Sequence, residues 1–323
     1  MMANVSTPQK KPMADPLWVP ILTHYQADAP SRLDAECAAD HIAQIAPHVR
    51  QLLIAGTTGD GWSMPQALLA DWLDLLRSED MPRGQKLMLG VLEPNTEAVV
   101  ARARWIEGQI GKRPLSGEVV ALTICPPVDP EATQERILSH FERVMEATAL
   151  PLAVYQLPQV TGCSLSAESF DKLVESGRIA FFKDTSGTDA VISESLRASE
   201  VTMLRGAEGD YARWIAPEGP YDGWLLSTAN GLAPELRQIE RAVRQGDRQR
   251  AQALSGTLTE VVESLFEIAS RWPSENTFAL ANRGVDVIRR GGAAKHLSGT
   301  GSPIDQDLLK ETRVLLRSKL MPH

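Results

Sequence analysis

Short apolar runs of four to seven residues alternate along most of this chain with longer stretches whose apolar residues recur at three- and four-residue steps. A strand buried on both faces reads as a continuous apolar run and a crossover helix as an amphipathic one, so the alternation predicts βαβ units and a parallel sheet. Strands are predicted at 17–22, 51–55, 86–91, 118–124, 152–155, 179–182, 201–204 and 223–226. Helical periodicity fills the gaps, for example over 35–45, 66–77, 96–107 and 133–147. Eight strands with matching helices predict an α/β fold, a TIM (β/α)8 barrel. The helical pattern continues over 234–244, 247–270, 277–290 and 305–320, as additional C-terminal helices. The expected organisation is therefore a polar, disordered tail over 1–15, a barrel core over 16–235 and C-terminal helices over 236–323. A doubly wound open sheet is the competing architecture, and it calls for a glycine-rich turn after the first strand. That turn reads Thr23-His24-Tyr25-Gln26, and no GxGxxG or GxxxxGK[ST] motif occurs elsewhere.

The 323 residues, 43% hydrophobic and 23% charged, are enough for one large core. A net charge of −8 without a long Lys/Arg run argues against a nucleic-acid partner. The N-terminal segment lacks the apolar core of a secretion signal, and no stretch approaches the roughly 20 apolar residues of a membrane span. A cytoplasmic protein with no membrane partner is expected. Cys37, Cys125 and Cys163 are isolated from one another, which fits a reducing compartment. The six histidines show no HxH or HExxH spacing, so no metal is expected. Arg289-Arg290-Gly291-Gly292 with Lys295 reads as an ordinary helix C-terminus.

In a barrel the chemistry sits at the C-terminal ends of the strands, which directs attention to three places. The second predicted strand runs into Gly56-Thr57-Thr58-Gly59-Asp60-Gly61, where glycines permit a tight turn that offers N–H groups beside two hydroxyls, as a carboxylate requires. An ordinary glycine-rich βα turn has the same composition. The fifth run ends at Tyr155 and the sixth at Phe182-Lys183-Asp184. A lysine at the barrel mouth is partly desolvated, which favours the neutral amine that attacks a carbonyl. Tyr155 and Lys183 are separated by 28 residues, one βα unit, so they occupy equal heights on neighbouring strands about 4.8 Å apart. A phenol beside an amine pairs a proton-transfer group with a nucleophile. Trp62 and Trp224 read either as packing residues or as the lining of an aromatic pocket.

Three motifs in order, Gly56-Thr57-Thr58-Gly59, Tyr155-x-x-Pro158-x-x-Thr161-Gly162 and Lys183-Asp184-Thr185-Ser186-Gly187, resemble the dihydrodipicolinate synthase/N-acetylneuraminate lyase family. Weaker echoes are Leu204-Arg205-Gly206-Ala207-Glu208 and Asp222-Gly223-Trp224-Leu225-Leu226-Ser227. The resemblance implies a homo-oligomer, a dimer or tetramer, that uses no metal or dissociable cofactor. It implies that Lys183 forms a Schiff base with a 2-oxo acid such as pyruvate, and that Tyr155 moves protons with Thr57 as a relay. Thr58 and the main chain at Gly56, Gly206 and Leu226 then belong to the substrate site. Val160 stands where family synthases carry an arginine for the second substrate's carboxylate, and Pro127-Val128 replaces a tyrosine pair. An uncharged valine cannot replace a bidentate guanidinium. The expected activity is thus a lyase reaction, aldol cleavage or condensation with an aldehyde, or dehydration, on a substrate such as a 2-keto-3-deoxy sugar acid. Dihydrodipicolinate synthase proper is the alternative within the enzyme class, and a non-catalytic 2-oxo-acid-binding barrel the alternative outside it.

Overall fold

Eight strands close on themselves in sequence order, each parallel to its neighbours, with β8 returning to β1. They are β1 (Leu17–Pro20), β2 (Gln51–Ile54), β3 (Lys86–Gly90), β4 (Glu118–Ile124), β5 (Leu152–Gln156), β6 (Ile179–Asp184), β7 (Thr202–Arg205) and β8 (Gly223–Leu225). The fold is the closed (β/α)8 barrel that the pattern predicts. The computed structural model describes residues 15–29, 31–79, 81–291 and 302–320. The tail expected over 1–15 lies outside the described residues except for Asp15, whose carboxylate accepts from Leu17 N (3.1 Å) and pairs with Arg237 (2.6 Å).

The helices are α1 (Ala35–Ile45), α2 (Gln66–Leu75), α3 (Thr96–Lys112), α4 (Gln134–Ala147), α5 (Pro158–Thr161), α6 (Ala167–Val174), α7 (Ala190–Glu194), α8 (Tyr211–Trp214), α9 (Ala229–Arg244), α10 (Arg248–Ser270), α11 (Thr277–Arg289) and α12 (Gln306–Lys319). Side-chain caps fix several starts: Asp34 accepts from Cys37 N, Asn95 from Ala98 N, Thr133 from Arg136 N and Asn276 from Ala279 N. The expected boundary at 235 falls inside α9, which begins five residues before Pro234. Leu232 breaks the helical geometry there (φ −122°), so Pro234 opens a second stretch where its missing N–H costs nothing, and the periodicity beginning at 234 reports only that stretch.

Two layers of core follow from the two-residue alternation of each strand. Trp18, Leu53, Met88, Ala121, Ala153, Leu204 and Leu225 fill the lumen, with Phe181 packed against them. Their neighbours along the strands, such as Leu52, Leu122, Val154, Phe182 and Trp224, face the helices. No helix among the described residues is long and apolar enough to cross a membrane. All three cysteines are free and buried.

Candidate active site

One alternation step beyond the lumen plug, towards the strand C-termini, the inward positions are Thr123 on β4, Tyr155 on β5, Lys183 on β6 and Gly206 after β7. Tyr155 and Lys183 are register partners across β5 and β6. Both are buried, and Lys183 Nζ lies 3.9 Å from the centroid of the Tyr155 ring. The intervening residue Phe182 turns outward onto Phe170 of α6, which holds β6 so that Lys183 has only the lumen to enter. Leu92, Cys125 and Leu157 wall the tyrosine, with Trp62 against them. Burial pushes the Cys125 thiol well up, against the influence of Lys183, so it stays a neutral wall atom.

The phenol meets the turn after β2. Thr57 Oγ1 lies 3.4 Å from Tyr155 OH and accepts from Trp62 Nε1 at 3.2 Å, which leaves its own proton available to the phenol. Gly59 N, bonded to Gly56 O at 3.0 Å, is the first donor satisfied within the turn. Asp60 adopts the left-handed conformation (φ 59°), and a Cβ at Gly61 would stand 1.9 Å from Ala55 O. The turn is braced from the C-terminal region. Asn276 Nδ2 donates to Thr57 O (2.6 Å) and Asp60 Oδ1 (2.8 Å). Arg283 of α11, 2% exposed, reaches Thr23 O (2.6 Å) and Asp60 Oδ2 (2.8 Å), and Tyr25 OH adds a bond to the same oxygen at 2.7 Å.

Behind the lysine lies a second network. The Asp184 carboxylate accepts from Ser186 N (2.9 Å) and Ser186 Oγ (2.6 Å), and Tyr221 OH lies between Asp184 (3.2 Å) and Asp189 (2.7 Å). Burial pushes the Asp184 carboxyl up, opposed by the Ser186 bonds. Arg205 approaches Asp189 at 3.4 Å and holds the loop after β7 through Ala207 O and Gly209 O. Glu208 gathers Ser227, Thr228 and Tyr211, and its carboxyl is also pushed up by burial. A Cβ at Gly206 would stand 2.2 Å from Thr185 Oγ1 and 2.8 Å from Lys183 Cε, so the position is bare because the lysine side chain passes it.

Of the residues singled out in the sequence, Lys183, Tyr155 and Thr57 are brought together, and Thr58 is buried in the same turn beside Gly56. Leu226 packs its side chain into the outer core, which leaves only its main chain to a ligand. Trp224 likewise faces the helices, against Tyr211, and lines no lumen pocket. Trp62 is at the site, bonded to Thr57. Val160 of α5 and Val128 after β4 are 41% and 40% exposed. The sequence reading missed Asn276 and Arg283, which no local pattern signals. It also missed the hydroxyls of Thr123 and Thr185, two steps from Ala121 and Lys183, which are buried without a hydrogen-bond partner among the described residues. Period-two counting from the lysine was the signal that would have found Thr185.

Residues 112–290 match the family model of the dihydrodipicolinate synthetase family. A 2-dehydro-3-deoxy-D-gluconate/2-dehydro-3-deoxy-phosphogluconate aldolase of Thermoproteus tenax is 27% identical over 76% of this chain and 74% of its own. A 4-hydroxy-tetrahydrodipicolinate synthase of an Exiguobacterium species is 24% identical over 83% of this chain and 87% of its own. The solved structure of a Sulfolobus 2-keto-3-deoxygluconate aldolase in complex with D-KDPG superposes with a TM-score of 0.76 at 18% identity, over 94% of this chain and 95% of that one. The closed barrel, the matched segment and these relatives lead to one conclusion: the chain belongs to the dihydrodipicolinate synthetase family and is a lyase.

Proposed function

We propose that the enzyme forms a protonated imine between Lys183 and the 2-oxo group of a pyruvate-type acid, and makes or breaks the C3–C4 bond of a 2-keto-3-deoxy acid. The observation that carries the reading is the Lys183 amine 3.9 Å from the Tyr155 ring, with the Tyr155 hydroxyl against Thr57. The neutral amine attacks C2, water leaves, and the resulting iminium draws the C3–C4 electron pair into an enamine as the aldehyde departs. Tyr155 takes the proton of the C4 hydroxyl, with the Thr57 hydroxyl as its relay, and returns it to C3. Hydrolysis of the imine then frees pyruvate and the lysine. The amides of Thr57 and Thr58 precede the first internally bonded donor of their turn, which suits them to the substrate carboxylate.

The substrate class is supported by the T. tenax relative and by the uncharged residues Val160 and Val128, which fit a partner with a neutral far end. The enzyme is further proposed to work in the cytoplasm as a homo-oligomer. Pyruvate with borohydride tests the mechanism: the intact protein should gain one reduced pyruvyl group, mapping to Lys183. An unmodified mass, or a Lys183→Ala variant that still labels at one site, would refute it. A kcat/KM comparison of neutral aldehydes with aspartate semialdehyde tests the substrate class. A tenfold preference for the semialdehyde would assign the synthase reaction instead.

A further inference from the structure

Outside the lumen, His24 of the loop after β1, His41 of α1 and Asp286 of α11 converge in the buried interior. The orientation of Asn230 settles the protons. Its Nδ2 donates to Pro20 O (2.9 Å) and Ser227 O (2.8 Å), and its Oδ1 accepts from Leu22 N (3.1 Å), so His41 Nε2, 3.1 Å from that oxygen, must donate to it. His41 Nδ1 then faces Asp286 Oδ1 at 2.9 Å, an acceptor opposite an acceptor unless a cation joins them. His24 repeats the arrangement: Nδ1 lies 3.3 Å from Leu22 O, and Nε2 faces Asp286 Oδ2 at 3.8 Å. Each imidazole thus anchors one N–H on a carbonyl oxygen and turns its other nitrogen to a shared carboxylate, the outer-shell pattern of metal-bound histidines.

We propose that His24 Nε2, His41 Nδ1 and Asp286 form a binding site for a divalent transition-metal ion of zinc's class. The three ligand atoms lie within 4.8 Å of one another. Zinc bonds of about 2.0–2.2 Å require them to close by roughly an ångström, within the reach of small side-chain rotations. Two imidazoles and one carboxylate suit zinc rather than calcium or magnesium, which prefer oxygen alone. Arg290 lies 3.5 Å from Asp286 Oδ2, which leaves Oδ1 as the better ligand. The ligands come from three elements far apart in sequence, so no HxH or HExxH spacing announces them. Asp286 stands one helical turn beyond Arg283, so the ion would fix the helix that braces the Thr57–Asp60 turn.

The test is metal content, which does not depend on imine chemistry at Lys183. Protein from zinc-supplemented culture, passed through gel filtration in chelator-free buffer, should retain close to one zinc per protomer by elemental mass spectrometry. Cobalt-grown protein should show visible d–d absorption. Asp286→Asn, nearly isosteric, and His24→Gln should each lower retention at least tenfold. Parent protein holding less than a tenth of an equivalent overturns the proposal, and the acceptor pair is then bridged by a proton. Retention unchanged in both variants overturns it as well.

Discussion

A methyl group at position 206 would stand 2.2 Å from Thr185 Oγ1 and 2.8 Å from Lys183 Cε, closer than Cβ atoms approach such neighbours. Gly206→Ala should therefore fold, since only the mouth of the lumen is crowded, and yet push Lys183 from its place against Tyr155. Borohydride trapping with pyruvate should fall at least tenfold, while the circular dichroism spectrum stays that of the parent; trapping within a factor of two of the parent would show that the lysine can pass an alanine. Tyr155→Phe makes the complementary test. It keeps the ring beneath the Lys183 amine and removes only the hydroxyl, so imine should still be trapped while turnover falls by about 10²–10⁴-fold, the usual contribution of an acid–base group. The lysine and the tyrosine were legible in the sequence because an apolar strand and a one-unit spacing fix their height and their neighbours. The need for a bare position 206 was not, because it arises from a contact between strands whose register only the closed barrel sets.

At the scale of elements, the C-terminal helices do more than cover the barrel, because Asn276 and Arg283 hold the turn that carries Thr57. Arg283→Met removes a guanidinium that is 2% exposed and leaves the Asp60 carboxylate, itself 14% exposed, with one partner fewer. Breaking a buried pair typically costs about 3–5 kcal/mol, so this variant should lose several degrees of Tm. Asn276→Ala is the milder probe of position. It takes one donor from Thr57 O and from Asp60 Oδ1, and the cap from Ala279 N, but leaves the Arg283 pair intact, and should lower kcat severalfold with the Lys183 adduct still forming. An unchanged kcat in a folded Asn276→Ala protein would mean that the turn holds its shape unaided. The longer helices themselves were legible from periodicity. Their bond to the turn was not: an arginine and an asparagine that each stand more than 200 residues from their aspartate share no period with it. The first part of α9 was missed for a local reason, because the break at Leu232 leaves too few residues before Pro234 to show a repeat.

For the whole molecule, the balance of buried groups that change charge sets how stability follows pH. His140 is 2% exposed, with Nε2 3.1 Å from Cys125 O and Nδ1 2.9 Å from Thr96 Oγ1, so the neutral ring donates to the carbonyl and accepts from the hydroxyl. Burial lowers its pKa from 6.5 to about 4, because the imidazolium would lose its water, a cost the bond to Cys125 O only partly offsets. The unfolded chain takes up this proton below pH of about 6.5, whereas the folded chain resists until about 4. Neutral His140 thus contributes stability that is fully present above the unfolded value and is lost as pH falls towards the folded one. Between pH of about 6.5 and 4.5 the loss should reach roughly 2–3 kcal/mol, at 1.36 kcal/mol per pKa unit. Asp184 and Glu208 act with the opposite sign: their raised values favour the fold at low pH and cost stability as pH climbs through and above the ordinary carboxylate range. The parent's profile is the sum of both, so the contribution of His140 must be read from a difference. His140→Gln keeps a donor for Cys125 O and an acceptor for Thr96 but has no proton to gain, so urea unfolding of parent and variant across this window isolates the histidine. The parent should lose roughly 2–3 kcal/mol more than the variant on the way down, and two parallel profiles would show that His140 is charged as readily in the fold as outside it.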